Sequence, residues 1–525
     1  MVNFLNFKLI AIIASVVFAP PLAWSKTGAL DWTVAIYAAI DEEEIDHYAE
    51  PLIREILNLP LGANTELFLE KDAFKDKHVY RYYRQGSDER KRYAKREHDS
   101  ASAETLEKFI EWVDKNATGK HRLLIIMTHA WGWKGITQDF TVPGNKKDTM
   151  MPVDEFAAVL RKSIAPIDVL FLDSCVLGNA EPIDEMVGAA RYLIASQRET
   201  PYAGYPYSKL FDMLGENASP LEVARRVPHQ YVEAFARGGS RVEREGEHFA
   251  LGVVSVDLKK WDAFADLFGD FTSTLKHAGF RETLSDRMDS ESTWITRLTD
   301  LDHNADLVDL LSRIPSMTVD ENVAWQSQAL LDRIGYPDDV ARQSSEALTF
   351  DAAKTDLVKI SIPVDEFLKP QKALSEMTKR WKDANRDLAA PGDQSFDVND
   401  GYFEVLTPID STFSVRPWLA GVRSARVATR DREIGAMQET VLRRESDFFS
   451  VDRFPETSFM VAEAHTSGAP FVHGVGINFH PLMDETEERA VDQRTGKKGP
   501  AYYRATKWNE RTGWGDLILL NDRAI

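Results

Sequence analysis

The sequence predicts an α/β fold, a three-layer α/β/α sandwich whose central sheet is mostly parallel, with helical and β-rich accessory segments. Short continuous apolar runs such as Leu123–Met127 and Val169–Leu172 end in turn residues, which is typical of strands buried on both faces. Amphipathic stretches separate these runs, and strands that alternate with helices favour right-handed parallel crossovers. The 43% apolar and 28% charged composition is ordinary for a folded chain.

Seven strands are predicted from apolar runs or β-like alternation. In chain order they are residues 31–40, 65–72, 78–85, 123–127, 169–172, 191–197 and 248–258. The mixed-charge segment 84–96 is expected to be a solvated loop.

Helices are predicted between these strands from their apolar spacing and their terminal residues. They are residues 41–59, 103–117, 151–164 and 181–190. Leu106, Ile110 and Val113 share one face of the second helix, as an amphipathic helix requires. Glu42 to Glu44 are interpreted as charges at a helix N-terminus rather than as acid–base catalysts.

Composition divides the chain after residue 25 into four stretches. Residues 26–215 carry the alternating strands and helices of the core, and residues 216–345 are a mainly helical continuation of it. Residues 346–470 contain short β-like runs between Gly, Pro and Asp, which predicts a β-rich accessory insertion. Residues 471–525 are expected to supply a return strand near Val475 and a helix.

Residues 1–25 are predicted to be a signal peptide. Lys8 supplies a positive n-region, an apolar stretch follows, and Ala23 and Ser25 are the small residues that signal peptidase recognises. An uncleaved anchor is disfavoured because the apolar run is too short to span a membrane comfortably. We therefore expect cleavage before Lys26 and an exported chain, periplasmic or secreted, with no membrane attachment. The net charge of -20 argues against nucleic acid as a partner.

Two of the predicted strands end in reactive side chains. His129 follows one apolar run, and Cys175, the only cysteine in 525 residues, follows another. Since the carboxyl ends of parallel strands meet at one edge of a sheet, the imidazole and the thiol are expected near each other. Such a pair is a recognised nucleophile pattern. Taken by itself, Cys175 is equally well explained as a buried small apolar side chain.

Several blocks of the chain, in order, resemble the clostripain-like cysteine peptidases, in the clan that includes gingipains, caspases, legumain and separase. The "FLDSCVLGNAEP" block is specific, "THAWGW" moderately so, and "DWTVAIYAAID" and "YLIASQRETPYAGYPY" match neighbouring blocks. The resemblance covers most of the chain outside 346–470. It implies a caspase-like sandwich and an exported cysteine endopeptidase acting on peptides or proteins.

The resemblance also implies roles for individual residues. Cys175 matches the nucleophile and His129 the catalytic imidazole, and the backbone N–H groups of Ala130 and Cys175 would hold the oxyanion. Asp173 matches a family acid that would favour a basic residue before the cut, although a turn or capping carboxylate is the alternative for it. Ser196 and Ala203 match further substrate-binding positions.

Maturation and cofactors are expected from the same resemblance. The exposed pair Lys146 and Lys147 lies in a long polar loop and is a candidate self-processing site, since relatives self-process at basic sites. The sequence requires no cofactor and predicts no metal ligands, while the resemblance allows Ca²⁺ because some relatives need it.

Two positions depart from the family pattern. Ala130 stands where the family has Gly, a residue that permits a positive φ or close approach of substrate. Ala203 stands where many relatives place an acid. Both departures favour the alternative function, a catalytically impaired caspase-like scaffold that binds peptide or a partner protein. A third interpretation, an unrelated α/β hydrolase or binding domain with an incidental cysteine, is disfavoured by the ordered blocks.

Overall fold

The computed structural model describes seventeen stretches of the chain. They are residues 30–74, 76–86, 90–141, 150–236, 239–242, 251–289, 304–317, 320–335, 358–363, 396–399, 402–407, 426–429, 433–436, 448–452, 454–466, 474–479 and 496–519. The predicted signal peptide 1–25 and the predicted processing residues Lys146 and Lys147 lie outside these stretches.

Nineteen strands lie in the described residues. They are β1 (Trp32–Ile40), β2 (Thr65–Ala73), β3 (His78–Gln85), β4 (Lys91–Arg96), β5 (His121–Thr128), β6 (Ile136–Gln138), β7 (Met150–Met151), β8 (Val169–Asp173), β9 (Tyr192–Ser196), β10 (Gly252–Asp257), β11 (Asn304–Asp306), β12 (Val358–Pro363), β13 (Phe396–Asn399), β14 (Tyr402–Thr407), β15 (Arg426–Thr429), β16 (Glu433–Ala436), β17 (Phe448–Val451), β18 (Met460–Thr466) and β19 (Gly476–Asn478).

Thirteen α-helices lie in the same residues. They are α1 (Glu43–Asn58), α2 (Ala103–Asn116), α3 (Val153–Arg161), α4 (Ala180–Glu185), α5 (Tyr207–Gly215), α6 (Pro220–Phe235), α7 (Leu258–His277), α8 (Phe280–Asp289), α9 (Leu307–Arg313), α10 (Glu321–Ile334), α11 (Gly499–Tyr503), α12 (Lys507–Thr512) and α13 (Trp514–Ile518). No described helix is long and apolar enough to cross a membrane.

Ten of the strands form one mixed sheet. Their order is β17-β18-β10-β9-β8-β5-β1-β2-β3-β4. The five central strands β9, β8, β5, β1 and β2 are parallel, whereas the outer strands on both sides pair antiparallel. Crossover helices cover both faces of a parallel sheet, and this explains why β1, β2 and β8 are buried along their whole length.

The two faces of the sheet pack against different helices. In β1 the side chains of Ala35, Tyr37 and Ala39 join a buried cluster with residues of α2, α3, α4 and α7. The alternate side chains, such as Val34 and Ile36, join a second cluster with α1, α5 and α6. This alternation follows from the two-residue period of a strand. It confirms the predicted three-layer α/β/α sandwich.

The mixed-charge segment 84–96 is not entirely a loop, as had been expected, because Lys91–Arg96 forms the edge strand β4. Its side chains are mostly exposed, and it pairs antiparallel with β3. A short edge strand covered with Lys and Arg resists further strand pairing, and such a strand carries no apolar signal.

The segment 346–470 contributes to two sheets. Strands β12 to β16 form a five-stranded antiparallel sheet, in line with the β-rich character expected there. Strands β17 and β18 instead join the main sheet beside β10. The strand near Val475 does not return to the main sheet as expected. It is β19, which pairs with β11 in a separate two-stranded sheet.

Candidate active site

The strand order of the main sheet reverses at β1. Strand β2 lies on one side of β1, while β5 and β8 follow on the other. Ligands of open α/β sheets bind outside the carboxyl ends of the strands at such a reversal. At that edge Glu42 follows β1, His129 follows β5 and Cys175 follows β8.

One cleft at this edge contains both predicted reactive residues. Its walls come from the ends of β1, β5 and β8, from α1 and from the loop after β9. His129, Asp173 and Cys175 all line it. The two strand ends are tied together, because the Ser174 hydroxyl donates a hydrogen bond of 2.6 Å to the Thr128 carbonyl.

The Cys175 thiol is mostly buried and contacts the loop after β9. The Thr200 amide donates to its Sγ at 3.4 Å, and the Thr200 hydroxyl lies 3.6 Å from the sulfur. Burial raises the pKa of the Cys175 thiol, and the two Thr200 contacts only partly oppose this effect. The resting side chain is therefore a neutral thiol at neutral pH.

The turn after Cys175 is strained and closely packed. Val176 has a φ of 48°, which is an outlier for a β-branched residue. The Val176 amide donates to the Arg198 carbonyl at 3.0 Å, and the Gly178 amide donates to the Ser196 carbonyl at 2.7 Å. These bonds fasten the turn to the end of β9 and hold Cys175 at the mouth of the cleft.

The His129 imidazole is paired with Glu42, one of the three glutamates predicted to serve only as charges at a helix N-terminus. The Glu42 carboxylate lies directly against Nε2 of His129. The Tyr202 ring meets the imidazole edge-on, with ring centroids 6.3 Å apart, and stacks on Tyr48. Among the described residues the imidazole thus contacts Glu42 and the thiol contacts Thr200, and no hydrogen bond joins the imidazole to the thiol.

Ala130 does not need the conformational freedom of the glycine it replaces. The described residues other than glycine with positive φ are Thr137, Val176 and Asn217, so Ala130 is outside that region. Ala130 forms an isolated antiparallel bridge with Ile136. The hydrogen bonds of this bridge run from the Trp131 amide to the Gly135 carbonyl and from the Thr137 amide to the His129 carbonyl. The Ala130 amide therefore points away from that bridge.

Asp173 lies at the base of the cleft and is held by a cluster of tyrosines. Its Oδ2 accepts from the Tyr207 hydroxyl at 2.8 Å, and its Oδ1 accepts from the Tyr231 hydroxyl at 2.6 Å. Burial raises the pKa of Asp173, while these hydroxyl bonds act in the opposite direction. Asp173 is therefore a buried carboxyl group at the base of the cleft, and its Oδ2 also accepts the Tyr205 amide at 3.4 Å.

Ser196 and Ala203, predicted as substrate-binding residues, are not wall residues of the cleft. Ser196 is 1% exposed, and its hydroxyl donates to the Gly252 carbonyl at 2.9 Å because β9 and β10 are paired there. Ala203 packs against the apolar cluster beneath α1 and α5, and its neighbours Tyr202 and Gly204 line the cleft instead.

Sequence reasoning missed the contacts made by Glu42, Thr200, Tyr207 and Tyr231. Glu42 could have been found by the same rule that located His129 and Cys175, because it lies two residues after the predicted parallel strand 31–40. Thr200 contacts a sulfur 25 residues away in sequence, and the tyrosines contact Asp173 from 34 and 58 residues away. No local pattern signals such long-range partners.

Two C-terminal helices pack behind both reactive loops. The Trp133 ring, four residues after His129, meets the rings of Tyr502 and Tyr503 edge-on with centroids 5.3 and 5.1 Å apart. The Tyr503 hydroxyl donates at 2.6 Å to the carboxylate of Glu181, in the helix that follows Cys175. The residues 502–511 thereby link the His129 loop to the Cys175 loop.

Calcium, which the resemblance allows, has no assigned ligands. Ca²⁺ needs six to eight oxygen ligands that converge on one point. Within the described stretches, no group of three or more His, Cys, Asp or Glu side chains could hold a metal ion. We therefore derive no step that uses calcium.

Comparisons with known proteins identify the family to which the chain belongs. A family model described as the clostripain family matches residues 36–389. Comparison with curated proteins gives no match. The chain is similar to a secreted C11 cysteine protease from Bacteroides thetaiotaomicron, solved with an irreversible peptide inhibitor, at 11% identity and a TM-score of 0.48, over 92% of this chain and 99% of that one. It is also similar to an inactive zymogen C11 protease from Parabacteroides distasonis, at 20% identity and a TM-score of 0.37.

The zymogen match covers 46% of this chain and 66% of the Parabacteroides chain. Family membership depends on the family model, which spans about two-thirds of the 525 residues. The matched range includes both His129 and Cys175, and it includes the strand reversal at β1. The chain belongs to the clostripain family of cysteine peptidases.

Proposed function

We propose that the chain is an endopeptidase in which Cys175 is the nucleophile and His129 the general base. The observation that carries the proposal is that both side chains line one cleft, at the carboxyl ends of the neighbouring parallel strands β5 and β8. Since Cys175 is the only cysteine, no other thiol competes for the role. The specific block around it supports the same assignment.

The neutral resting thiol requires a base at the moment of attack. His129 takes the thiol proton as Sγ bonds to the substrate carbonyl carbon, which gives a tetrahedral oxyanion. The amides of Ala130 and Cys175 are the donors for that oxyanion. The protonated His129 then delivers its proton to the leaving amine as the C–N bond breaks. Water, deprotonated by His129, hydrolyses the thioester and restores the thiol.

A preference for Lys or Arg before the cut is part of the proposal. Asp173 at the base of the cleft is the acid that a basic side chain would reach. Each of its oxygens already accepts a tyrosine hydroxyl, but a carboxylate has about four lone-pair sites, so acceptor capacity remains. A basic side chain beside Asp173 would also favour its ionised form.

Export, self-processing and calcium dependence complete the proposal. Cleavage after Ser25 would place the enzyme in the periplasm or outside the cell. A peptidase that prefers Lys or Arg before the cut would also cleave its own chain near Lys146 and Lys147 during maturation. Peptide cleavage measured over a series of calcium concentrations tests whether the enzyme requires calcium.

The experiment is cleavage of a fluorogenic peptide panel, basic and non-basic before the cut, by the purified chain. Cys175→Ala is the negative control, and we expect it to abolish turnover. Asp173→Asn should reduce cleavage of basic peptides by at least about 10-fold while non-basic peptides are less affected, because one desolvated charge pair is lost.

Two results would contradict the proposal. Turnover that survives in Cys175→Ala would exclude the thiol mechanism. A folded wild-type chain that cleaves no peptide, with or without calcium, would favour the scaffold that binds peptide without cutting it. Circular dichroism of every variant verifies that each chain is folded.

A further inference from the structure

Glu42 occupies a helix N-terminus without capping it. The residue is the N-cap of α1, yet its side chain makes no capping hydrogen bond. Ser, Thr, Asp and Asn are the usual N-caps, since their short side chains reach the free amides of the first turn. The Glu42 carboxylate instead contacts Nε2 of His129, and both side chains are mostly buried, with 26% and 17% exposed. Its contact is with the imidazole and not with the helix.

We infer that Glu42 is a positioning residue for His129, an inference that rests on the proposed function. A carboxylate beside Nε2 fixes the imidazole proton on that nitrogen. The tautomer then leaves Nδ1 unprotonated, and Nδ1 is the nitrogen that can accept the proton of Cys175. When His129 becomes an imidazolium during attack, the same carboxylate stabilises the new charge.

Hydrogen bonds donated by backbone amides fix the positions of Glu42 and His129 relative to each other. Asp41, the residue before Glu42, accepts hydrogen bonds from the amides of Phe140 and Thr141 at 3.1 and 2.8 Å. The Thr137 amide donates to the His129 carbonyl at 3.0 Å. The loop after His129 is therefore fastened to the end of β1 on which Glu42 stands.

The Tyr202 ring restricts the remaining freedom of the imidazole. It meets the ring of His129 edge-on and is itself stacked on Tyr48, whose centroid is 5.5 Å away. Rotation of the imidazole by half a turn would remove Nε2 from Glu42, while the edge-on Tyr202 ring restricts tilting of the imidazole out of its plane. Glu42 thus sets which nitrogen faces the thiol.

The competing explanation is that Glu42 only places a negative charge at a helix N-terminus. Two more glutamates, Glu43 and Glu44, follow it in the sequence, so that charge is already supplied. A matched control exists in α2, where Glu104 lies in the first turn and pairs with the exposed Lys108. Replacing Glu104 by Gln removes a helix N-terminal carboxylate that pairs with Lys108 rather than with His129.

The first test is steady-state kinetics of Glu42→Gln and Glu104→Gln. We expect Glu42→Gln to lower kcat about 10- to 100-fold with KM nearly unchanged, since the attraction between Glu42 and His129 strengthens as His129 gains charge in the transition state. The figure lies below the ~10⁴-fold loss known for the buried aspartate of a serine-protease triad, because Glu42 is partly solvated. Glu104→Gln should match the wild type. Equal effects of the two variants would overturn the inference.

The second test does not need peptidase activity. Cys175 is the only cysteine, so the rate of alkylation by iodoacetamide, followed by intact mass, reports on that thiol alone. Glu42→Gln should slow alkylation in the wild-type background and have no further effect in the His129→Ala background. Equal slowing in both backgrounds would overturn the inference. A chain that cleaves no peptide but shows this coupling would contradict the proposed function while supporting the role of Glu42.

Discussion

Replacing Gly178 by Ala should displace the nucleophile turn. Gly178 lies three residues after Cys175 and passes against the backbone of β9. A Cβ at this position would lie 2.8 Å from the Gln197 nitrogen, 2.8 Å from the Ser196 carbonyl carbon and 3.0 Å from the Ser196 oxygen. All three contacts are backbone atoms that cannot rotate away, so the turn itself must shift.

The size of the effect follows from these contacts. Ordinary van der Waals contact of a Cβ begins at 3.4 Å, so the turn must retreat by about 0.6 Å. Overpacking of this kind costs about 1 to 3 kcal/mol of stability. A misplacement approaching 1 Å in an active site costs up to ~10²-fold in rate. We therefore expect lower stability together with a 10- to 100-fold loss of kcat/KM.

Gly215→Ala is the matched control, because no atom lies within 4 Å of a Cβ built there and its φ is not positive. The same glycine-to-alanine change should leave stability unchanged or raise it by up to about 1 kcal/mol through the unfolded chain. Urea unfolding gives the stability of both variants, and the peptide panel gives their activity. If Gly178→Ala were as stable and as active as Gly215→Ala, the close packing of the turn against β9 would be refuted.

Two predictions concern buried carboxyl groups. Burial and the nearby Glu97 raise the pKa of Asp72 to about 9. The folded chain therefore holds the Asp72 proton more tightly than the unfolded chain does, and this stabilises the fold fully below the unfolded pKa near 3.8. The stabilisation is lost as pH rises toward 9, at up to about 1.4 kcal/mol per pH unit. In Asp72→Asn the free energy of unfolding, measured with urea at pH 5, 7 and 9, should fall less steeply with pH than in the wild type. An unchanged dependence on pH would contradict this prediction. Tyr503→Phe removes the hydroxyl that donates to the buried Glu181 and should cost about 1 to 3 kcal/mol in the same assay. A loss no larger than that of Tyr502→Phe would show that the Glu181 bond contributes little.

The central sheet and the two reactive strand ends could be predicted because their signals are local. Continuous apolar runs mark β5 and β8, and His129 and Cys175 directly follow them. The edge strand β4 lacked such a signal, since Lys91–Arg96 is charged and exposed. The outer strand β18 was assigned to the accessory segment because its pairing with β10 joins residues about 200 positions apart in sequence.

The role of Glu42 was misjudged because a preference local in sequence was considered without its contact with a distant residue. Consecutive glutamates at the start of α1 favour a helix N-terminus, and that rule concealed the contact between Glu42 and His129. The family pattern has a glycine at position 130, whereas in this chain the residues of the loop with positive φ are Gly132, Gly135 and Thr137. Ser196 was assigned to substrate binding by the resemblance, but strand pairing buries it.

The link between the reactive loops and residues 502–511 has a consequence for biosynthesis. Proteins emerge from the ribosome N-terminus first, and domains generally fold as they emerge. A nascent chain that has reached Thr466 already contains every strand of the main sheet. It still lacks Tyr502 and Tyr503, the partners of Trp133 and Glu181 behind the two loops. The cleft of this peptidase thus gains the support of Tyr502 and Tyr503 only after the chain has been extended past Thr466, the end of the last strand of the main sheet.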